Sequence, residues 1–187
     1  MKVAVLAVQG AFAEHEKVLE DLGIPYVELR KEEDTLQEYD ALILPGGEST
    51  VQGKLIRELG LYEKIKEQIN SGMPVLATCA GMILLAEHLS NDEKTHLATM
   101  PITVKRNAYG RQLGSFHTQH EFSSIGKVPM TFIRAPYIES VSDKVEVLAT
   151  VDDHIVAAKY GNQIALSFHP ELDSDHRIYE SFLAMVS

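Results

Sequence analysis

The only cysteine, Cys79, stands where an apolar run gives way to a helical pattern. Met73-Pro-Val-Leu-Ala-Thr78 reads as a short strand, and Met82-Ile-Leu-Leu-Ala-Glu-His88 as the helix that follows Ala80-Gly81. That junction is the outline of a nucleophile elbow, a sharp strand-to-helix turn that holds a side chain above the end of a sheet. A helix N-terminus directly after the sulfur favours the thiolate, the form that attacks carbon. Far downstream, Ser167-Phe168-His169-Pro170-Glu171 offers an imidazole and a carboxylate two residues apart. A cysteine, a histidine to take its proton and an acid to orient that histidine make a nucleophilic triad. Lone cysteines more often pack as small buried hydrophobes. Here the strand-to-helix position favours chemistry, and the Ala80 amide is placed to donate to an oxyanion.

A second candidate element is Gly46-Gly47-Glu48-Ser49-Thr50, between a strand and a helix. Paired glycines there can aim backbone amides at a bound group, as an oxyanion donor or a carboxamide clamp. The plainer alternative is a turn with Ser49 or Thr50 as the helix N-cap. No Gly-Lys-Ser/Thr follows, so a nucleotide P-loop is not supported. Arg106 and Arg134 adjoin predicted strand ends, where a guanidinium can pair with a substrate carboxylate through two parallel hydrogen bonds. His117-Thr-Gln-His120-Glu121 has metal-ligating residue types but no second cluster, and reads as a solvated polar loop. No metal and no cofactor is expected.

These residues need a scaffold that brings them together. Val3 to Val8 is continuously apolar, as in a strand covered on both faces. An amphipathic helix is predicted over Phe12 to Leu22, ending at Gly23. Tyr26 to Leu29 and Ala41 to Leu44 are further strands. Helices are predicted over Val51 to Leu59 and Tyr62 to Ser71, then a strand over Pro74 to Thr78 and its helix over Ala80 to Leu89. Alternation of strand and helix implies a parallel sheet with helices on both faces. The second half carries short strand patterns at Ile102 to Val104, Thr131 to Ile133, Val145 to Ala149, Ile155 to Ala158 and Ile164 to Phe168. Gly161-Asn162 is a hairpin turn between the last two. A closing helix is predicted over Asp173 to Met185, capped by Asp173 or Ser174. The expectation is an α/β fold in which residues 1–187 form a single domain.

The totals agree with that frame. A length of 187 residues suits one good core, and 45% hydrophobic with 24% charged residues is ordinary for a globular protein. A net charge of −10 argues against a nucleic-acid partner, since phosphate contact needs clustered Lys and Arg. The mixed-sign run Glu28 to Asp34 reads as a solvated loop. The first apolar run is too short to span a bilayer, so no membrane association is expected. A lone cysteine forms no internal disulfide and fits a reducing cytoplasm.

Pro45-Gly-Gly-Glu-Ser-Thr50, Thr78-Cys-Ala-Gly81, Arg106-Asn-Ala-Tyr-Gly-Arg111, Phe132-Ile-Arg-Ala-Pro136 and Ser167-Phe-His-Pro-Glu171 occur in that order. Together they resemble the class I, triad-type glutamine amidotransferases, and most closely the glutaminase subunits of pyridoxal 5′-phosphate synthases. The resemblance runs from Val8-Gln9-Gly10 to the closing helix. It implies a flavodoxin-like three-layer sandwich with a mainly parallel central sheet. It also implies hydrolysis of L-glutamine to glutamate and ammonia through a glutamyl thioester on Cys79, with His169 as base and acid and Glu171 orienting it. Gly46, Gly47 and Ala80 would form the oxyanion hole, and Gly47, Glu48, Ser49, Arg106, Ile133 and Arg134 the glutamine site. The implied partner is a barrel-type synthase subunit, in a large hetero-oligomer that passes ammonia to vitamin B6 synthesis. Gln9 and Gly10 match a segment ordered when that partner docks. The superfamily elbow is usually Gly-x-Cys-x-Gly, and here Ala77 replaces the first glycine, which requires an unstrained backbone at that position. The alternatives are an amidotransferase serving another synthase, a peptidase acting on gamma-glutamyl bonds, and a non-catalytic regulatory domain. The subfamily segments argue against the first, activity on such substrates by the isolated chain would mark the second, and the complete triad argues against the third.

Overall fold

The computed structural model describes residues 1–90, 92, 94–106 and 115–187. Four strands are buried at every position: β1 (Val3–Leu6), β3 (Ala41–Leu44), β4 (Val75–Thr78) and β12 (Gln163–Leu166). Together with β2 (Tyr26–Leu29) they pair in parallel in the order β2-β1-β3-β4-β12. Strands buried at every position need cover on both faces, and successive side chains meet it alternately. Ala4, Leu6, Leu42, Leu44, Val75 and Ala77 pack with residues of α2 (Ser49–Glu58), α3 (Tyr62–Asn70) and α4 (Ala80–Leu85). Val3, Val5, Ala41, Ile43 and Leu76 face the other way, onto α1 (Phe12–Asp21) and α5 (Arg177–Leu183). The result is the expected sandwich of helices around a mainly parallel sheet.

Past β12 the sheet turns antiparallel. β11 (His154–Tyr160) pairs with β12, β9 (Tyr137–Val141) with β11, and β6 (Met100–Lys105) with β9. β5 (Ala86–Leu89) closes that edge parallel to β6, while β10 (Glu146–Val151) pairs with β11 off the main path. The β11–β12 turn contains Gly161 at φ 56°, as the Gly161-Asn162 hairpin reading requires. A separate antiparallel hairpin, β7 (Ser115–Phe122) with β8 (Gly126–Ile133), lies over the α1/α5 face.

Several elements differ from the sequence expectation. The helix after Cys79 ends at Leu85, and Ala86 turns extended at ψ 132° because residues 86–89 pair with β6. The segment from His117 to Glu121 is strand, not loop. His117, Gln119 and Glu121 point outward, and the alternation stayed hidden because the buried side is carried mainly by Phe116 and Phe122. Its partner β8 supplies buried Val128, Met130 and Phe132, and Phe116 stacks on Phe132 at 4.5 Å. The Glu28 to Asp34 run is divided between the end of β2 and a 3-10 helix over Glu32–Leu36. The closing helix starts at Arg177, because residues 170–172 form a 3-10 turn and Asp173 is extended at ψ 155°. Neither Asp173 nor Ser174 caps it; the N-cap position is His176, and the Arg177 N–H donates to Asp175 instead. Glu48, not Ser49 or Thr50, occupies the N-cap position of α2.

Candidate active site

The site forms at the carboxyl edge of the parallel strands, where open α/β sheets bind their ligands. β4 and β12 are parallel neighbours with Thr78 opposite Leu166, so the residues after each strand emerge side by side. The Cys79 N–H extends the ladder to the Leu166 carbonyl at 2.8 Å. The chain then turns at Cys79, with φ 50° and ψ −104°, and α4 begins at Ala80. A non-glycine residue there stores strain of about 1–3 kcal/mol, which surrounding structure must hold. Part of that hold is Gly81: a Cβ in its place would strike the Leu44 carbonyl, so the glycine lets α4 sit directly against β3. Ala77 lies in regular strand between Leu44 and Ala165 and is not among the positive-φ residues, so the strain sits on the nucleophile. As the first residue of α4, Ala80 has an amide without an intrahelical acceptor.

His169 follows β12 and is fixed by its own N–H, which donates to the Thr131 carbonyl of β8 at 2.8 Å. Phe168 beside it is fully buried, edge-on to Phe122 and tilted against Phe132. The imidazole Nδ1 lies 2.5 Å from Glu171 Oε1, which leaves the other ring nitrogen for Cys79. Burial by itself would lower the His169 pKa. Hydrogen bonds to Cys79 and Glu171, and the charges of both, outweigh it and raise the value to about 10. Glu171 has a fully buried side chain, which pushes its carboxyl up, yet His15 and His169 hold it below the usual range. Its second oxygen, Oε2, has no hydrogen-bond partner among the described residues and lies 3.7 Å from His15 Nε2.

The Gly46-Gly47 turn follows β3 and meets the loop after β1. The Ala11 N–H donates to the Gly46 carbonyl at 3.0 Å, and the Glu48 N–H to Gln9 Oε1 at 2.9 Å. Because a trans peptide sets C=O and N–H in opposite directions, the Gly47 N–H points away from Ala11. Gln52 on α2 ties both loops, its side-chain amide donating to the Gln9 and Pro45 carbonyls at 3.1 Å each. The absent Gly46 side chain is what admits the base, since a Cβ there would lie 2.5 Å from His169 Cε1 and 3.5 Å from Cys79 Cβ.

These groups border a cavity of about 410 Å³. Of the sequence-derived residues, Gln9, Gly46, Gly47, Glu48, Ser49, Cys79, Arg106, Ile133, Arg134 and His169 line it. Gly10, Ala80 and Glu171 are not among the lining residues; Ala80 and Glu171 are buried and Gly10 is exposed. Arg106 bonds Asp92 at 2.7 Å and Thr50 at 3.3 Å, and Arg134 is held at φ 45°. Residues 107–111 of the Arg106 to Arg111 motif lie outside the described residues. Ala11, Ile83 and Pro136 also line the cavity and were missed, being small or apolar residues without a chemical signature. Gln52 was missed too, since nothing in a helical pattern marks a buried amide that ties two loops. Among the described residues, no group of three or more His, Cys, Asp or Glu could hold a metal.

A strained cysteine at a strand-to-helix turn, a histidine and an acid just past the end of the neighbouring parallel strand, and a glycine pair facing them sit together at the carboxyl edge of an α/β sheet, the layout of a class I amidotransferase. A profile of the SNO glutamine amidotransferase family matches residues 5–187, and the chain belongs to that family. It is therefore a glutamine amidotransferase. The chain is 62% identical over its whole length to the pyridoxal 5′-phosphate synthase subunit PdxT of Desulfitobacterium hafniense, covering 94% of that protein. It is 54% identical to the PdxT of Streptococcus pneumoniae, with 99% of this chain and 97% of that protein aligned. A crystal structure described as a glutamine amidotransferase superposes with a TM-score of 0.93 at 41% identity, over 98% of both chains. The PurLQS structure from Thermotoga maritima shares the fold alone, with a TM-score of 0.67 at 18% identity over all of this chain and 99% of that one.

Proposed function

We propose that this chain is the glutaminase subunit of a pyridoxal 5′-phosphate synthase, with residues 1–187 acting as one domain and Cys79, His169 and Glu171 as its catalytic residues. The observation that carries the reading is the His169–Glu171 pair, bonded at 2.5 Å, with Cys79 and His169 bordering one cavity rimmed by the Gly46-Gly47 turn. The Cys79 sulfur attacks the side-chain carboxamide carbon of L-glutamine while His169 holds the thiol proton. The oxyanion rests on the amides of Ala80 and the Gly46-Gly47 turn. The C–N bond then breaks, His169 gives its proton to the departing nitrogen, and ammonia leaves a glutamyl thioester. Water, deprotonated by His169, attacks that thioester and releases glutamate, restoring the thiol. Gly47, Glu48, Ser49, Arg106, Ile133 and Arg134 hold the glutamine.

The relatives at 62% and 54% identity, both named as synthase subunits, support the choice of partner. The acceptor of the ammonia is a barrel-type synthase subunit in a large hetero-oligomer, which docks near the loop of Gln9 and Gly10. No helix among the described residues is long and apolar enough to cross a membrane, and the lone unpaired Cys79 suits the cytoplasm. The test is glutamate release from glutamine by the purified chain, with and without the synthase subunit, beside Cys79→Ala. Release that depends on Cys79 and rises with the synthase is expected. Release unaffected by Cys79→Ala rejects the triad, and release indifferent to the synthase rejects the partner.

A further inference from the structure

His15 lies on α1, far from the nucleophile in sequence, and is completely buried. Its ring is held at both nitrogens. The Tyr179 hydroxyl of α5 lies 2.6 Å from Nδ1, while Thr78 Oγ1 lies 3.2 Å from Nε2. Nε2 also faces the orphan Oε2 of Glu171 at 3.7 Å. The charged groups acting on the ring are Glu171, His169 and Glu14, and burial keeps the ring neutral by lowering its pKa. A neutral imidazole carries one proton, and the neighbours decide where it sits. Glu171 is ionised and accepts only, so a bare Nε2 lone pair would repel it. Placing the proton on Nε2 turns an N–H towards Thr78 and the carboxylate and leaves Nδ1 to accept from the Tyr179 O–H. The Tyr179 hydroxyl, itself fully buried, thereby has an acceptor.

We propose that His15, its tautomer set by Tyr179, is a positioning residue that holds the Glu171 carboxylate in register with His169, extending the triad into a buried relay of Tyr179, His15, Glu171, His169 and Cys79. It touches neither glutamine nor the sulfur and acts only through Glu171. Without the His15 N–H, Oε2 would lose the polar group that faces it and the carboxylate would be set by its bond to His169 alone, on which the orientation of the base depends. Thr78, the residue before the nucleophile, is tied to the same ring, so α1 is coupled to both ends of the site.

This inference rests on the triad proposed above, and its test separates the two. Glutamine hydrolysis is measured in the presence of the synthase subunit for the parent protein, Cys79→Ala, His15→Phe, His15→Gln and Tyr179→Phe, with thermal unfolding of each. His15→Phe is expected to lower kcat on the order of tenfold or more with KM nearly unchanged, the pattern of a lost orienting contact. His15→Gln, whose amide can return an N–H to the Nε2 position, recovers part of that loss, and Tyr179→Phe lowers kcat in the same direction. A folded His15→Phe with kcat within about twofold of the parent overturns the proposal. So does a His15→Gln no better than His15→Phe. Should His15→Phe fail to fold, Tyr179→Phe decides, and an unchanged kcat there overturns it. A parent activity indifferent to Cys79→Ala instead overturns the triad itself.

Discussion

In the proposed mechanism His169 is the residue on which the chemistry turns, because it must hold a proton for departing ammonia and then take one from water. Its raised pKa has a consequence for stability. With a folded value of about 10 against an ordinary 6.5, the charged ring stabilises the fold fully below about pH 6.5, and that contribution is lost as pH rises through about 10. The thermal-unfolding advantage of the parent protein over His169→Asn, which has no such titration, should shrink between about pH 7 and pH 11. A constant difference would place the stabilising proton elsewhere. Arg106 makes a different kind of prediction. Its bond to Asp92 holds the guanidinium at the cavity wall, where the proposed function has it pair with a glutamine carboxylate. Arg106→Ala should raise KM for glutamine with kcat largely kept, and Arg106→Lys should not restore affinity, since a single ammonium lacks the planar fork. Steady-state kinetics over a range of glutamine concentrations reads both.

At the scale of elements, two glycines have distinct duties. Gly46→Ala would drive a methyl into the His169 ring, whereas Gly81→Ala would force α4 away from the β3 backbone. The first should cost most of the glutaminase activity with a modest change in stability. The second should cost about 1–3 kcal/mol of stability, read from urea denaturation. How legible such elements were in the sequence follows from what covers them. β1 and β3 are apolar throughout, and β4 and β12 are apolar but for Thr78 and Gln163, because both faces are buried, and that pattern stands out in any window. The Cys79 junction was legible for a similar reason, an apolar run meeting a helical one. β7 and β9 were not: β7 hides its alternation among polar residues, and β9 reads Tyr-Ile-Glu-Ser-Val with a single fully buried position at Ile138. The early end of α4 escaped because residues 86–89 are good helix formers that tertiary pairing overrides. Within the site, motif residues were found because chemistry restricts their types. His15, Gln52 and Tyr179 act through contacts between distant segments, which no local pattern encodes.

For the molecule as a whole, the parallel strands are both core and mounting for the site. Leu76 sits at the middle of β4, between β3 and β12, and is fully buried. Leu76→Ala should destabilise the protein by about 2–5 kcal/mol in equilibrium denaturation, while the folded fraction keeps its triad and its KM. The order of strands in space also differs from their order in time. β12 is the last strand of the described chain to be made, yet it inserts between β4 and β11 near the centre of the sheet. During synthesis Cys79 leaves the ribosome long before His169 and Glu171 exist. A nascent chain with β1 to β4 already assembled thus displays a cysteine that has no base, beside an open strand edge waiting for its neighbour. Competence to hydrolyse and completion of the sheet arrive in a single late event, so a truncated or stalled chain is catalytically silent and, with its β4 edge unpaired, prone to be bound by chaperones or degraded.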